Sequence, residues 1–308
     1  MSASLVMMMF SLKWYYDDTR KEASKTAIVL HVLQLGPLQR YWEYYRSARR
    51  TRKETADGDA YSIYIRQWRD ISMLRLFEVF IESAPQMVLQ LYILAYNRHF
   101  DKDNDWLTAL SACFSLISLA SSIVCYYKAL RDASENKGKM TWWAFACQIA
   151  WRITMVASRI VTLVLFASVH KSWILLFICL HWFLMTFWIR WQKPSFDSNN
   201  KILKFMFPIV VGFIYVFCFF NVKDGLTRKR LIFFYALMFV ENCVLMGFWL
   251  PYRHEYGVVF VAALGVVLGG FFIGVIAMVL YYHCYHPSLS THGIFFQNVP
   301  NGEVELTN

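Results

Sequence analysis

The sequence predicts an all-α polytopic membrane protein, and three observations carry that prediction. Apolar residues gather in long blocks rather than one-sided stripes, and about 20 such residues in a helix cross roughly 30 Å of hydrocarbon. Charged residues make up 17% of the 308, below the roughly 25% of soluble domains, and most of them fall in short loops between the blocks. The few ionisable groups inside the blocks recur at helical spacing. Together these exclude two soluble domains, which length alone would allow, and point to a single transmembrane unit over 1–308.

The elements follow in order. The stretch from Ala3 to Tyr16 is apolar but short, and no basic run precedes it as in a signal peptide. It predicts the second half of a helix (1–16) whose beginning is absent, so that the first transmembrane helix is missing. Segments 26–36 and 202–220 are also too short or too interrupted to cross, the second by Pro208 and Gly212. Both are predicted to be re-entrant, entering and leaving by one face. Full crossings are predicted at about 71–96, 106–127, 142–169, 172–192, 231–250 and 257–283, the last two divided around Pro251 to Gly257. Residues 284–308 form a tail.

Of 31 lysines and arginines, 24 lie on one side of this arrangement, four on the other and three inside spans. The excess places the basic loops and the C-terminus in the cytoplasm. The count is self-consistent only if 202–220 returns to the side it left. A net charge of +10 placed in this way marks topology and gives no case for nucleic acid as a partner. The two halves also share a loose plan of short apolar segment, basic stretch and hairpin of spans, which predicts a pseudo-symmetric helical bundle.

Ionisable groups inside a span cost about 2.5–3.5 kcal/mol each on insertion scales and so normally face protein or water. Arg75, Glu78, Glu82, Gln86 and Gln90 fall within an arc of about 120° and form a ladder along about 22 Å of one helix face. Gln148, Arg152 and Arg159 share one face of a later span. Two acids on one helix and two arginines on another invite pairing. One reading is a set of buried ion pairs that fix helix register; the other is a hydrophilic path through the bilayer. His181, Glu241 and Asn242 each stand alone on their helices and read first as satisfied core groups. Pro85 predicts a kink beside Glu82, and Gly265, Gly269, Gly270 and Gly274 give two GxxxG spacings suited to close helix packing.

Enzyme signatures are missing from the sequence: it has no GxxxxGK[ST], HExxH or GxSxG. The histidines are too scattered and the seven cysteines lack CxxC spacing, so no metal or cofactor is expected. The cysteines read as small buried hydrophobes.

Leu74–Tyr92 (LRLFEVFIESAPQMVLQLY), His31–Trp42 (HVLQLGPLQRYW), Phe219–Arg230 (FFNVKDGLTRKR) and Tyr281–Pro287 (YYHCYHP) occur in the order of, and closely resemble, the signatures of the XK-related family of membrane proteins. The second stretch, with His31, Gln34 and Arg40, resembles that family's re-entrant motif. The resemblance implies eight spans plus two re-entrant helices and, in some members, phospholipid scrambling that exposes phosphatidylserine at the plasma membrane during apoptosis. It also implies that a stair of polar residues guides lipid headgroups, and Glu78, Glu82, Arg152 and Arg159 stand at matching positions. Scrambling members are switched on by caspase cleavage in a cytoplasmic tail, whereas this sequence has no DxxD. Other relatives serve as partners of membrane proteins. The expectation is therefore a multi-pass, non-enzymatic plasma-membrane scramblase. Its headgroup path would run along Arg75, Glu78, Glu82 and Gln86 against Gln148, Arg152 and Arg159. Membrane phospholipids are its partners, together with a single-span membrane protein or a second copy. The alternatives are an ion or proton channel, or a scaffold whose basic Arg40–Arg69 region binds acidic lipids or a partner.

Overall fold

The computed structural model describes residues 8–12, 29–30, 33, 35–53, 58–96, 105–132, 140–194, 201–222, 227–255 and 258–285. Every regular element among them is helical. Five helices are long and apolar enough to cross a membrane: Trp106–Asp132, Trp142–His170, Trp173–Gln192, Thr227–Tyr252 and Val261–Tyr285. They coincide with five of the six expected crossings. The expected span over 71–96, which carries Arg75, Glu78 and Glu82, is not among them. The chain is an all-α polytopic membrane protein.

The basic stretch from Arg40 to Arg69, which offers no apolar run, folds as a helical hairpin. Helix α1 (Gly36–Lys53) and helix α2 (Gly58–Glu78) meet through stacked rings of Tyr44 and Tyr64, with centroids 5.2 Å apart and hydroxyls 3.2 Å apart. Pro37 stands in the first turn of α1, where its missing N–H costs no intrahelical bond. Helix α2 runs through one π turn, Val79–Ser83, into α3 (Ala84–Tyr96). The Ala84 amide bonds to Val79 O, five residues back. The kink expected at Pro85 thus takes the form of a π turn in the preceding residues, a common response where the regular ladder is broken.

Helix α4 (Asp105–Asp132) leads to α5 (Trp142–His170), the central helix of the bundle. Two-thirds of its most apolar window is buried, against a third or less in the other four spans. Thr141 caps it, accepting from the Ala144 amide at 3.3 Å, which satisfies an otherwise orphaned donor. Helix α6 (Trp173–Gln192) exposes Leu180, Phe183, Phe187 and Trp191, a face that suits lipid and would be an aggregation surface in water.

Helix α7 (Lys201–Tyr215) has 15 residues with Pro208 inside it. Its length of about 22 Å at 1.5 Å per residue falls short of the roughly 30 Å of hydrocarbon. It packs closely on α6, where a Cβ on Gly212 would lie 3.1 Å from the Thr186 amide and the Trp182 indole donates to Ile209 O at 2.8 Å. The chain then unwinds, and residues 216–220 are fully buried.

Helix α8 (Thr227–Trp249) ends in a 3-10 turn, Leu250–Glu255, that contains Pro251. The last span comprises α9 (Val258–Leu264), a π turn (Gly265–Gly269), α10 (Gly270–Leu280) and a final π turn (Tyr281–Tyr285). Half of the GxxxG expectation holds here. A Cβ on Gly274 would sit 2.8 Å from Thr154 Oγ1 and Met155 Cγ of α5, and one on Gly270 3.3 Å from Thr154 O, while Gly265 and Gly269 have nothing within 4 Å. Within 1–16, residues 8–12 are helical, and the Phe10 ring meets Phe77 edge-on at 5.3 Å. The rest of 1–16, most of 26–36 and the tail beyond Tyr285 lie outside the described residues.

Candidate functional site

An unwound backbone inside a bilayer leaves N–H and C=O groups that lipid cannot satisfy, at several kcal/mol each. The segment after α7 meets this demand through side chains of other helices. His181 Nε2 on α6 donates to Tyr215 O at 3.2 Å. Arg159 Nε on α5 donates to Val216 O at 3.0 Å, and Arg152 Nη1, two turns earlier, donates to Phe219 O at 2.8 Å. The Tyr215 hydroxyl donates to Phe220 O, and the Asn221 amide donates to the Tyr127 hydroxyl on α4 at 2.8 Å.

Both arginines have further partners. Arg159 Nη2 pairs with Glu241 Oε2 at 2.6 Å, and its Nη1 donates to Asn242 Oδ1 at 2.8 Å. The other carboxylate oxygen of Glu241 lies 2.8 Å from His181 Nδ1. His181 from one helix and the neighbouring Glu241 and Asn242 from another are thus one cluster closed around Arg159. The Arg152 guanidinium lies 4.1 Å from the Trp151 ring centroid and 5.1 Å from that of Tyr127, a cation–π setting that offsets part of its desolvation. Gln148 is buried one turn earlier on the same face.

The ladder on α2 and α3 has the opposite environment. The Arg75 and Glu78 side chains are 47% and 37% exposed and pair with each other at 3.0 Å. Glu82 and Gln86 are exposed, and Gln90 is half-buried with its amide 3.5 Å from Ser111 Oγ on α4. Beside this stripe lies an open groove of about 470 Å³ between Ser83 and the α4 face of Ser111, Ser115 and Ser118. Those three serines recur at i, i+4 and i+7, so the helix aligns their hydroxyls on one face.

The expected pairing of Glu78 and Glu82 with Arg152 and Arg159 does not form. Among the described residues, Glu78 pairs along its own helix, Glu82 has no ion-pair partner, and both arginines are turned inward to carbonyls and to Glu241. The physical reason is that a bare carbonyl in hydrocarbon competes as strongly for a guanidinium as a carboxylate that can reach a polar surface. Of the motif residues His31, Gln34 and Arg40, the first two lie outside the described residues. Arg40 is buried and donates to Ser11 O at 2.9 Å. Sequence reasoning missed the hydroxyls of Tyr127 and Tyr215 and the serine groove. The serine spacing was a readable signal, whereas nothing in the sequence marks which tyrosine meets an unwound backbone.

A family model described as XK-related protein matches residues 1–287 of the chain.

Proposed function

Because the chain belongs to the XK-related family, we propose that it is a passive phospholipid scramblase of the plasma membrane, with its C-terminus in the cytoplasm. The observation that carries this reading is the outward exposure of Arg75, Glu78, Glu82 and Gln86 beside a serine-lined groove. A zwitterionic or anionic headgroup needs both a cation and hydrogen-bonding groups along its way, and acyl tails need an open side to lipid. A stripe on the outer face of a bundle supplies both, with 71–96 crossing the bilayer and α7 re-entering it. Arg152, Arg159 and Gln148 then act as the rigid floor behind the path. Their burial, and the inward bonds of both arginines, favour a lipid-facing route over a conducting pore through the bundle. No covalent step is involved, so the activity is transport and the direction follows the lipid gradient.

The test is reconstitution of purified protein in liposomes that carry a fluorescent phospholipid. A membrane-impermeant reductant should bleach label from both leaflets, and Glu82→Gln should slow the second phase without lowering protein insertion. Bleaching that stops at half the label with the wild-type protein refutes the reading. Ion flux through the same vesicles, with no lipid movement, would replace it by a channel.

A further inference from the structure

The exposed side of α1 takes no part in the stripe or the arginine cradle, yet it is strongly patterned. At 100° per residue, Leu38, Tyr41, Trp42 and Tyr45 lie within one arc, and Arg46, Arg49 and Arg52 continue the same arc toward the C-terminus. All seven are exposed, with Leu38 at 64% and Trp42 at 60%. The face therefore runs from about 10 Å of apolar and aromatic surface to about 9 Å of arginine. No acid lies on the arc. Glu43 stands at its border, half-buried, and accepts from Gln39 at 2.9 Å. Arg46, Arg49 and Arg52 have no acidic partner among the described residues.

The helix cannot rotate to hide this face. Its opposite side is fixed by the Tyr44–Tyr64 stack, by Thr51 Oγ1 bonding to Ala60 O across the hairpin at 3.3 Å, and by Arg40 bonding to Ser11 O. In water such a surface would be a poor design, because large aromatics stand in solvent beside unpaired cations. Aromatic rings at headgroup depth followed by arginines at phosphate level are instead what an interfacial helix on an acidic leaflet requires.

We propose that this face of α1 is a docking surface for acidic phospholipid headgroups of the cytoplasmic leaflet, with Leu38 to Tyr45 at the acyl boundary and Arg46, Arg49 and Arg52 on the phosphates and carboxylates. Three arguments select this occupant. The charge is of one sign, the lysine and arginine bias places this hairpin on the side where anionic lipids concentrate, and the aromatic half needs an apolar phase beside it. The surface also reaches the foot of the polar stripe, since Tyr41 and Arg40 border a crevice with Arg75 and Glu78. Acidic lipids held on α1 therefore stand next to the first step of the stripe.

The experiment uses the full-length protein in lipid nanodiscs with acyl-brominated phosphatidylserine or acyl-brominated phosphatidylcholine at equal mole fraction. Trp42 is isolated as the difference between wild type and Trp42→Phe. The expected result is a several-fold preference of the Trp42 signal for brominated phosphatidylserine quenching. Arg46→Gln/Arg49→Gln/Arg52→Gln should abolish that preference. Each arginine near an anionic surface contributes about fivefold, so removing all three is more than enough to erase a several-fold preference. An unchanged melting temperature shows that the variant is folded. If it is not folded, raising salt to about 1 M on the wild type removes the same attraction by screening. Equal quenching by both lipids in the wild type, or a preference that survives both treatments, overturns the proposal. The readout requires no lipid to cross, so its failure and that of scrambling are told apart.

Discussion

Replacing Arg159 by Leu tests whether the arginine holds the bundle together or serves a path. The side chain is fully buried, pairs with Glu241 at 2.6 Å and donates to Asn242 Oδ1 and Val216 O at 2.8 and 3.0 Å. Removing one partner of a buried ion pair costs about 3–5 kcal/mol. Each acceptor left without its donor adds about 1–3 kcal/mol. These costs do not add fully, because Glu241 is 18% exposed and keeps its contact with His181. A loss of about 4–6 kcal/mol is expected. At roughly 2–4 °C per kcal/mol, the melting temperature in detergent should fall by roughly 10–20 °C. The companion variants are Glu241→Leu and the double replacement. The double variant removes both charges together and should recover at least about 1.5 kcal/mol relative to the sum of the singles. The assay is thermal unfolding followed by tryptophan emission, with a double-mutant cycle from denaturant midpoints. An Arg159→Leu protein that melts within about 2 °C of wild type, or a coupling below about 0.5 kcal/mol, refutes the clamp.

Further outcomes follow from the same geometry. Gly274→Leu should destabilise by about 1–3 kcal/mol through overpacking against Thr154 and Met155, whereas Gly269→Ala, with nothing within 4 Å, should change the melting temperature by about 1 °C or less; a melting series separates them. Gly212→Ala should be costly for the same reason at Thr186, with Gly247→Ala as the neutral control. Tyr215→Phe removes the hydroxyl that donates to Phe220 O and should lose about 1–3 kcal/mol, read as faster hydrogen exchange over 216–222. Burial and the hydroxyl of Tyr64 push the Tyr44 phenol well above its ordinary value. The folded state thus holds that proton where the unfolded chain has released it, and the α1–α2 contact weakens as pH rises past about 10. Tyr44→Phe should flatten the alkaline limb in a pH series of melting curves.

The spans were legible because a bilayer imposes length and apolarity on each segment independently of its neighbours. Trp142–His170 and Trp173–Gln192 fall within one residue of the ends expected from sequence. The polar residues were legible too, since Arg152 and Arg159 are costly wherever they point. Their partners were not. Sequence pairs charge with charge, but carbonyl oxygens of Val216 and Phe219 exist at every position and carry no signature of being unwound. Glu241 and Asn242 are neighbours on α8 and His181 stands on α6, and only helix packing brings the three around one guanidinium. The hairpin of α1 and α2 was hidden for the opposite reason. Its stretch is too polar to read as a span, and its two helices meet through tyrosine rings and a threonine bond rather than through an apolar stripe.

The pinned segment after α7 also constrains how the molecule assembles. Its donors come from α5 and α6, made before it, and one of them, Arg159, is oriented by Glu241 and Asn242 of α8, which accept from it and are made after it. Until α8 is in place, the Arg159 guanidinium that holds Val216 O lacks its carboxylate partner, and burying it beside the unwound segment would strand a charge in oil. This segment is therefore expected to settle last, after α8 has packed against α5. A chain interrupted ahead of Thr227 should leave that portion at the water boundary, open to protease and to water-soluble thiol reagents at Cys218.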